Sequence, residues 1–201
     1  PLRYYVGMPR QGIFRSDDGG HTWSDLNTGI ANAIASDGLD NDRDGEYVDN
    51  DGDGVADSTD ANGRAKPDGI DNDGDGTIDE GIDETGEGTE ILNDATRIEL
   101  SVTGNPEAES NPVYAAVFTG SALVGIYLSA DTGDNWSAMD YPNNPPDGRS
   151  SFRHHFAILA DRRNPNVVFV ALRTSNGNLY GNVQWGDASQ PAGSQFAPLV
   201  G

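Results

Sequence analysis

The sequence predicts an all-β protein of about three repeated four-stranded units, interrupted by an irregular acidic insert. Three observations predict it. The 201 residues include 26 Gly and 11 Pro, a density of turn formers that favours many short strands over helices. Two stretches, GIFRSDDGGHTW at 12–23 and GIYLSADTGDNW at 125–136, share one pattern, and self-similarity at a fixed period marks repeat architectures. Finally, the formal net charge of -21 is concentrated: 20 acidic and 3 basic residues between Asp37 and Glu90 account for -17 of it.

Taken in order, residues 1–36 read as a first unit, with strands at RYYVGM, GIFRS and HTWSDL and no innermost strand. Residues 37–90 are the insert. Residues 91–145 read as a complete second unit, with strands at TRIELSVTG, PVYAAVFTG, GIYLSA and NWSAMD. Residues 146–201 read as a third, with strands at HHFAILAD, NVVFVALRT, LYGNVQW and FAPLV. Alternation is partial in these runs, as expected of strands covered on both faces. The turns RNPN at 163–166 and ESNP at 109–112 occupy matching places in the last two units.

Both shared stretches read Gly-Ile-aromatic-x-Ser-x-Asp-x-Gly-x-(Thr/Asn)-Trp. The pattern suits a hairpin. Asp18 and Asp131 can accept hydrogen bonds from the amides of their own turn. Gly20 and Gly133 can supply positive φ. Trp23 and Trp136 open the return strand and can bury large rings between neighbouring sheets. A degenerate third copy, SQPAGSQF at 189–196, keeps Ser189, Gly193 and the aromatic Phe196, with Pro191 in place of the Asp. Ser16 and Ser129 lie 113 residues apart, Ser129 and Ser189 only 60, and removing the 54-residue acidic window nearly equalises the spacing. These stretches resemble the Asp-box, or BNR repeat, of β-propellers. The resemblance implies a partial β-propeller of about three four-stranded blades, too few to close a ring of the usual ~4–8. An open β-sandwich with coincidental turns is the plainer alternative.

The insert carries its own pattern, D-x-[DN]-x-[DN]-G, in which alternate carboxylates on a tight loop converge on one point and the glycine permits the turn. In the fullest match, Asp49, Asp51, Asp53, Asp57 and Asp60 occupy ligand positions 1, 3, 5, 9 and 12, with Gly54 at position 6. A second has Asp71, Asp73, Asp75 and Asp79 at 1, 3, 5 and 9, but Ile82 at 12 and Asp83 one residue late. A third begins at Asp40, Asp42 and Asp44, and its position 12 falls on Asp51. Position 7 offers a main-chain carbonyl, so Glu46, Val55 and Thr77 need no special side chain. Calcium takes ~6–8 oxygens in irregular geometry, whereas magnesium demands a strict octahedron and few carboxylates. Two or three Ca2+ ions are therefore expected. A solvated acidic linker, the usual reading of a charge run, would not need glycine at position 6 three times. The insert is similar to thrombospondin type 3 repeats, and the density of Gly, Pro and Asp argues against flanking helices of EF-hand type.

For function, the acidity argues against nucleic acid and anionic membranes as partners. No run of ~18 apolar residues exists to insert in a membrane. There is no cysteine, so neither a disulfide framework nor a thiolate metal site. Opening at Pro1, the chain reads as a mature chain or a fragment. The Asp-box resemblance implies a structural turn, shared by sialidases, xyloglucan-cleaving glycosidases, sortilin-type receptors and photosystem assembly factors. A sialidase would need an arginine cluster, for which Arg97, Arg153 and Arg173 are available. A glycosidase would need two carboxylates ~5–9 Å apart, and outside the insert Glu99 and Asp161 are the strand-end candidates. His154 and His155 could line a channel with Arg153, and Tyr180 and Trp185 could stack on a sugar; as strand-start polar residues and blade core they need no such role. The expectation is an extracytoplasmic, secreted or cell-surface module that binds calcium and acts structurally or adhesively. Its partners would be other copies, the rest of a longer chain, a cell-surface protein or a polysaccharide. The alternative is a fragment of a secreted glycoside hydrolase of sialidase or xyloglucanase type.

Overall fold

In the computed structural model, residues 2–35, 87–104, 111–120, 122–142, 156–172 and 182–199 are described. They form three antiparallel sheets and two short helices. The first sheet, in order β1-β2-β3, joins β1 (Tyr4–Met8), β2 (Gly12–Ser16) and β3 (Ser24–Asp25). The second, β4-β5-β6-β7, joins β4 (Ala95–Val102), β5 (Val113–Thr119), β6 (Ala122–Ser129) and β7 (Ser137–Ala138). The third joins β8 (Phe156–Ala160), β9 (Val167–Leu172), β10 (Asn182–Asp187) and β11 (Phe196–Pro198) in the same sequential fashion. Each sheet is a meander, and the leading strands adjoin one another, β1 beside β4 and β4 beside β8. The first sheet thus has three strands rather than four.

Two core layers separate the sheets. One side of β5 and β6 presents Val113, Ala115, Val117 and Tyr127 toward the first sheet. The other presents Tyr114, Ala116, Phe118 and Ile126 toward the third, where they meet Phe156, Val168 and Val170. A strand covered on both sides has no polar face to spare, which is why β5 reads VYAAVFT.

The helices depart from the sequence expectation. α1 (Asn27–Ala35) and α2 (Glu87–Asp94) stand at the two ends of the acidic segment, and α2 begins within the 37–90 window. Neither is long enough to be stable alone. Tertiary burial holds them: Ile30, Ala33 and Ile34 of α1 and Ile91 and Leu92 of α2 belong to the layer between the first two sheets. The spacing at 30, 33 and 34 is one helical face, obscured in sequence by the short run and by Asn, Thr and Gly around it. The start of α1 is tied to the β1–β2 turn. Asn27 Oδ1 accepts from Ile13 N at 2.8 Å, and its Nδ2 donates to Gln11 O at 2.7 Å. Gly12, at φ 93°, leaves the room this needs, since a Cβ there would lie 1.8 Å from Asn27 Oδ1.

Candidate functional site

The two repeated turns are built alike. Ser16, fully buried, ends β2; its Oγ accepts from Gly20 N at 2.8 Å and donates to Asp18 Oδ1 at 2.8 Å. Asp18 Oδ1 accepts from His21 N and Thr22 N, both at 2.9 Å, and Oδ2 from Thr22 Oγ1 at 2.7 Å. In the second turn Ser129 Oγ accepts from Gly133 N at 2.7 Å, and Asp131 accepts from Asn135 N at 2.9 Å and Nδ2 at 2.7 Å. Gly20 and Gly133 hold φ of 94° and 106°. The donors stabilise the ionised carboxylates. Those from Thr22, first its amide and then its hydroxyl, hold the Asp18 carboxyl down at about 2. Partial burial pushes Asp131 up, but the donors from Asn135, Ser129 and its own main chain together outweigh it and leave that carboxyl below the ordinary range. These carboxylates are turn scaffolding, spent on neighbouring amides.

The tryptophans part company. Trp136 is 8% exposed and packs over α1, where a Cβ on Gly29 would come 3.1 Å from its ring, whereas Trp23 is 45% exposed. The same turn places both rings, but among the described residues no element covers Trp23 as α1 covers Trp136.

The third turn keeps less than its sequence suggests. By strand pairing, Asp187 and not Ser189 closes the hairpin, opposite Gln195. Ser189 Oγ donates to Asp187 Oδ1 at 2.6 Å rather than receiving Gly193. The amides left without the missing carboxylate at Pro191 turn to the second sheet. Asp140, buried just beyond β7, accepts from Gly193 N on Oδ1 and from Gln195 N on Oδ2, both at 2.8 Å. Its own N–H donates to Gln195 Oε1 at 2.7 Å. A carboxylate supplied by one sheet thus satisfies the turn of the next. The only hint in sequence is the acceptor that Pro191 removes.

Neighbouring sheets are also joined between the first and second. Arg15 Nη1 donates to Thr132 O at 2.9 Å and Asp134 Oδ1 at 2.9 Å, and Tyr5 Oη to Thr132 O at 3.0 Å. Register makes Tyr114 the counterpart of Tyr5, since Tyr5 faces Arg15 and Tyr114 faces Leu128, each one residue before the turn serine. Tyr114 Oη likewise reaches forward, to Pro165 O at 2.7 Å.

Of the residues weighed for catalysis, Arg97 and Glu99 lie on β4, their side chains 3.5 Å apart, with the Arg97 guanidinium 3.9 Å from the Phe118 ring centre. Burial pushes the Glu99 carboxyl up, opposed by Arg97. Asp161 caps the β8–β9 turn, accepting from Arg163 N at 2.6 Å and Asn164 N at 2.9 Å, and those amides lower its carboxyl. Each is engaged locally. Trp185 is a partly exposed residue of β10. Arg153, His154, His155, Arg173 and Tyr180 lie outside the described residues.

So do all the expected metal ligands, from Asp40 to Asp79. What the structure describes is their attachment. α1 and α2 pack side by side, so closely that a Cβ on Gly88 would fall 1.9 Å from Ala31 O. The two helices that flank the acidic segment in sequence therefore form a paired stem rooted in the core. Among the described residues no group of three or more His, Cys, Asp or Glu could hold a metal, and no helix is long and apolar enough to cross a membrane.

No family model matches the sequence, and no curated protein matches it. Among solved structures, the GH74 xyloglucanase from Xanthomonas campestris is similar at a TM-score of 0.32 and 13% identity, over 98% of this chain and 28% of that one. A likeness of that size carries neither fold nor activity across.

Proposed function

We propose that the chain is a calcium-binding structural or adhesive module, with its three sheets as successive blades of a β-propeller-like stack and the acidic segment as a metal-stiffened projection from it. The observation that carries the reading is the acidic segment itself: three D-x-D-x-D-G loops between two helices packed at van der Waals limits. The donor set is carboxylate and carbonyl oxygen, the chemistry calcium prefers. Asp49, Asp51, Asp53, Asp57 and Asp60 would hold one ion and Asp71, Asp73, Asp75 and Asp79 a second; the loop from Asp40 would share Asp51. The bound ions would supply positive charge that offsets the self-repulsion of -17. The stem supports the reading because it gives such a segment a fixed base, which a free linker would not require. Display outside the cytoplasm, on a secreted or cell-surface protein, belongs to the same proposal.

Small-angle scattering of the full chain, in calcium and in chelator at matched ionic strength, tests it. Calcium should shrink the radius of gyration by drawing the segment together, and an unchanged scattering curve would contradict the reading.

A further inference from the structure

The two outermost sheet faces are apolar, and the repeat within the molecule says what kind of surface each is made to meet. On the first sheet, Tyr4, Val6 and Met8 share the face turned away from the second sheet, with Phe14 beside Val6. Strand register maps these positions onto the second sheet. Tyr4 faces Ser16 as Val113 faces Ser129; Val6 faces Phe14 as Ala115 faces Tyr127; Met8 faces Gly12 as Val117 faces Gly125. Trp23 corresponds to Trp136 by the shared turn. Every counterpart on the second sheet is buried in the layer between the first two sheets. On the first sheet Tyr4, Met8 and Trp23 are 46%, 37% and 45% exposed, and Val6 and Phe14 between them are only half-buried.

The far end of the stack is its complement. The face of the third sheet opposite its core carries the row Leu159, Phe169, Trp185 and Ala197, and beside it Ala157, Ala171 and Val183. Leu159 is 64% and Val183 42% exposed. On the second sheet the forward face is buried against the third. Apolar faces this extensive mark interaction sites.

We infer that copies of this chain dock head to tail, the outward face of the third sheet of one copy covering the first-sheet face of the next. The contact continues the one already made twice inside the molecule, forward face on rearward face. A second copy supplies the missing surface in full, because one chain bears both halves. Such a contact is heterologous, so the two faces need not match themselves. The inference names the partner that the proposed module leaves open and rests on its stacked-blade reading. It uses no residue of the acidic segment, so it should form in chelator as well as in calcium, and its failure leaves calcium binding untouched.

The test uses sedimentation velocity of the full chain across about 1 to about 100 µM, the range of weak specific association, with Met8→Arg blocking one face and Leu159→Arg the other. Both positions are exposed, and unchanged melting temperatures check folding; Val183→Lys serves for the third-sheet face if Leu159→Arg melts early. Wild type should grow in mass with concentration and each variant should stay monomeric. An equimolar mixture of the two should give a dimer that extends no further, since only one pair of intact faces remains. Monomeric wild type throughout would overturn the inference, leaving these faces to other segments of a longer chain. So would association of either variant alone, or a mixture that does not dimerise.

Discussion

At the residue scale, one turn sequence yields two different energetic roles for its tryptophan. Trp136 is buried and Trp23 is not, so the ring's value lies in what covers it. Trp136→Ala should cost ~3–5 kcal/mol through lost burial and a cavity, while Trp23→Ala should stay within ~1 kcal/mol as a surface change; urea denaturation of the two variants measures both. The main-chain role of the aspartates was legible, because a carboxylate two residues after a strand-ending serine lies beside its own turn's amides; the side-chain donors Thr22 Oγ1 and Asn135 Nδ2 were not. Asp18 also makes a prediction about protons. Its folded carboxyl sits at about 2, below the ordinary ~3.9 of an unfolded aspartate. A depressed carboxyl stabilises the fold fully above the unfolded value and loses that contribution as pH falls toward 2. In a carbon-detected NMR titration the Asp18 side chain should therefore titrate near 2, and a midpoint near 4 would mean its Thr22 and His21 donors are not in place. The burial of Trp23 was misjudged from sequence because a motif specifies local geometry, whereas exposure depends on which neighbour is present.

At the scale of elements, the strands were readable and the helices were not. Runs such as VYAAVFT and ALVGIYLS carry β-branched and aromatic residues between clear turn formers. α1, NTGIANAIA, has only Ile30, Ala33 and Ile34 to declare a helical face, and its stability is tertiary rather than intrinsic. The third hairpin was misaligned by sequence because the acceptor for its amides comes from another sheet. Asp140 is that acceptor, and it gives the element-scale prediction. Asp140→Ala removes a charged acceptor from Gly193 N and Gln195 N and should cost about 2–3 kcal/mol. Hydrogen exchange should quicken first at residues 193–195, with β4–β6 little changed, and Asp140→Asn should recover part of the loss by keeping one oxygen. Uniform exchange across all three sheets in Asp140→Ala would show that this residue does not act as a joint between the second and third.

At the scale of the whole molecule, the architecture separates a nearly neutral β scaffold from one acidic segment. Of the net -21, only -4 lies outside residues 37–90. The segment's two ends meet at a stem whose side chains share the core with Ile13, Val113 and Trp136. An ion bound only by the folded chain raises stability in proportion to the logarithm of its concentration. The proposal that the segment binds calcium rests on the spacing of its aspartates alone; the helical stem at its ends was not legible in sequence, since Gly88 against Ala31 is a contact across 57 residues. The most direct measurement is isothermal titration of calcium into EDTA-treated protein, paired with thermal melts of the same samples. Saturable heats for two or three ions, at a Kd in the ~10⁻⁴–10⁻³ M range of extracellular modules or tighter, with a raised melting temperature, are the predicted result; no saturable heat and an unmoved melting temperature would contradict it.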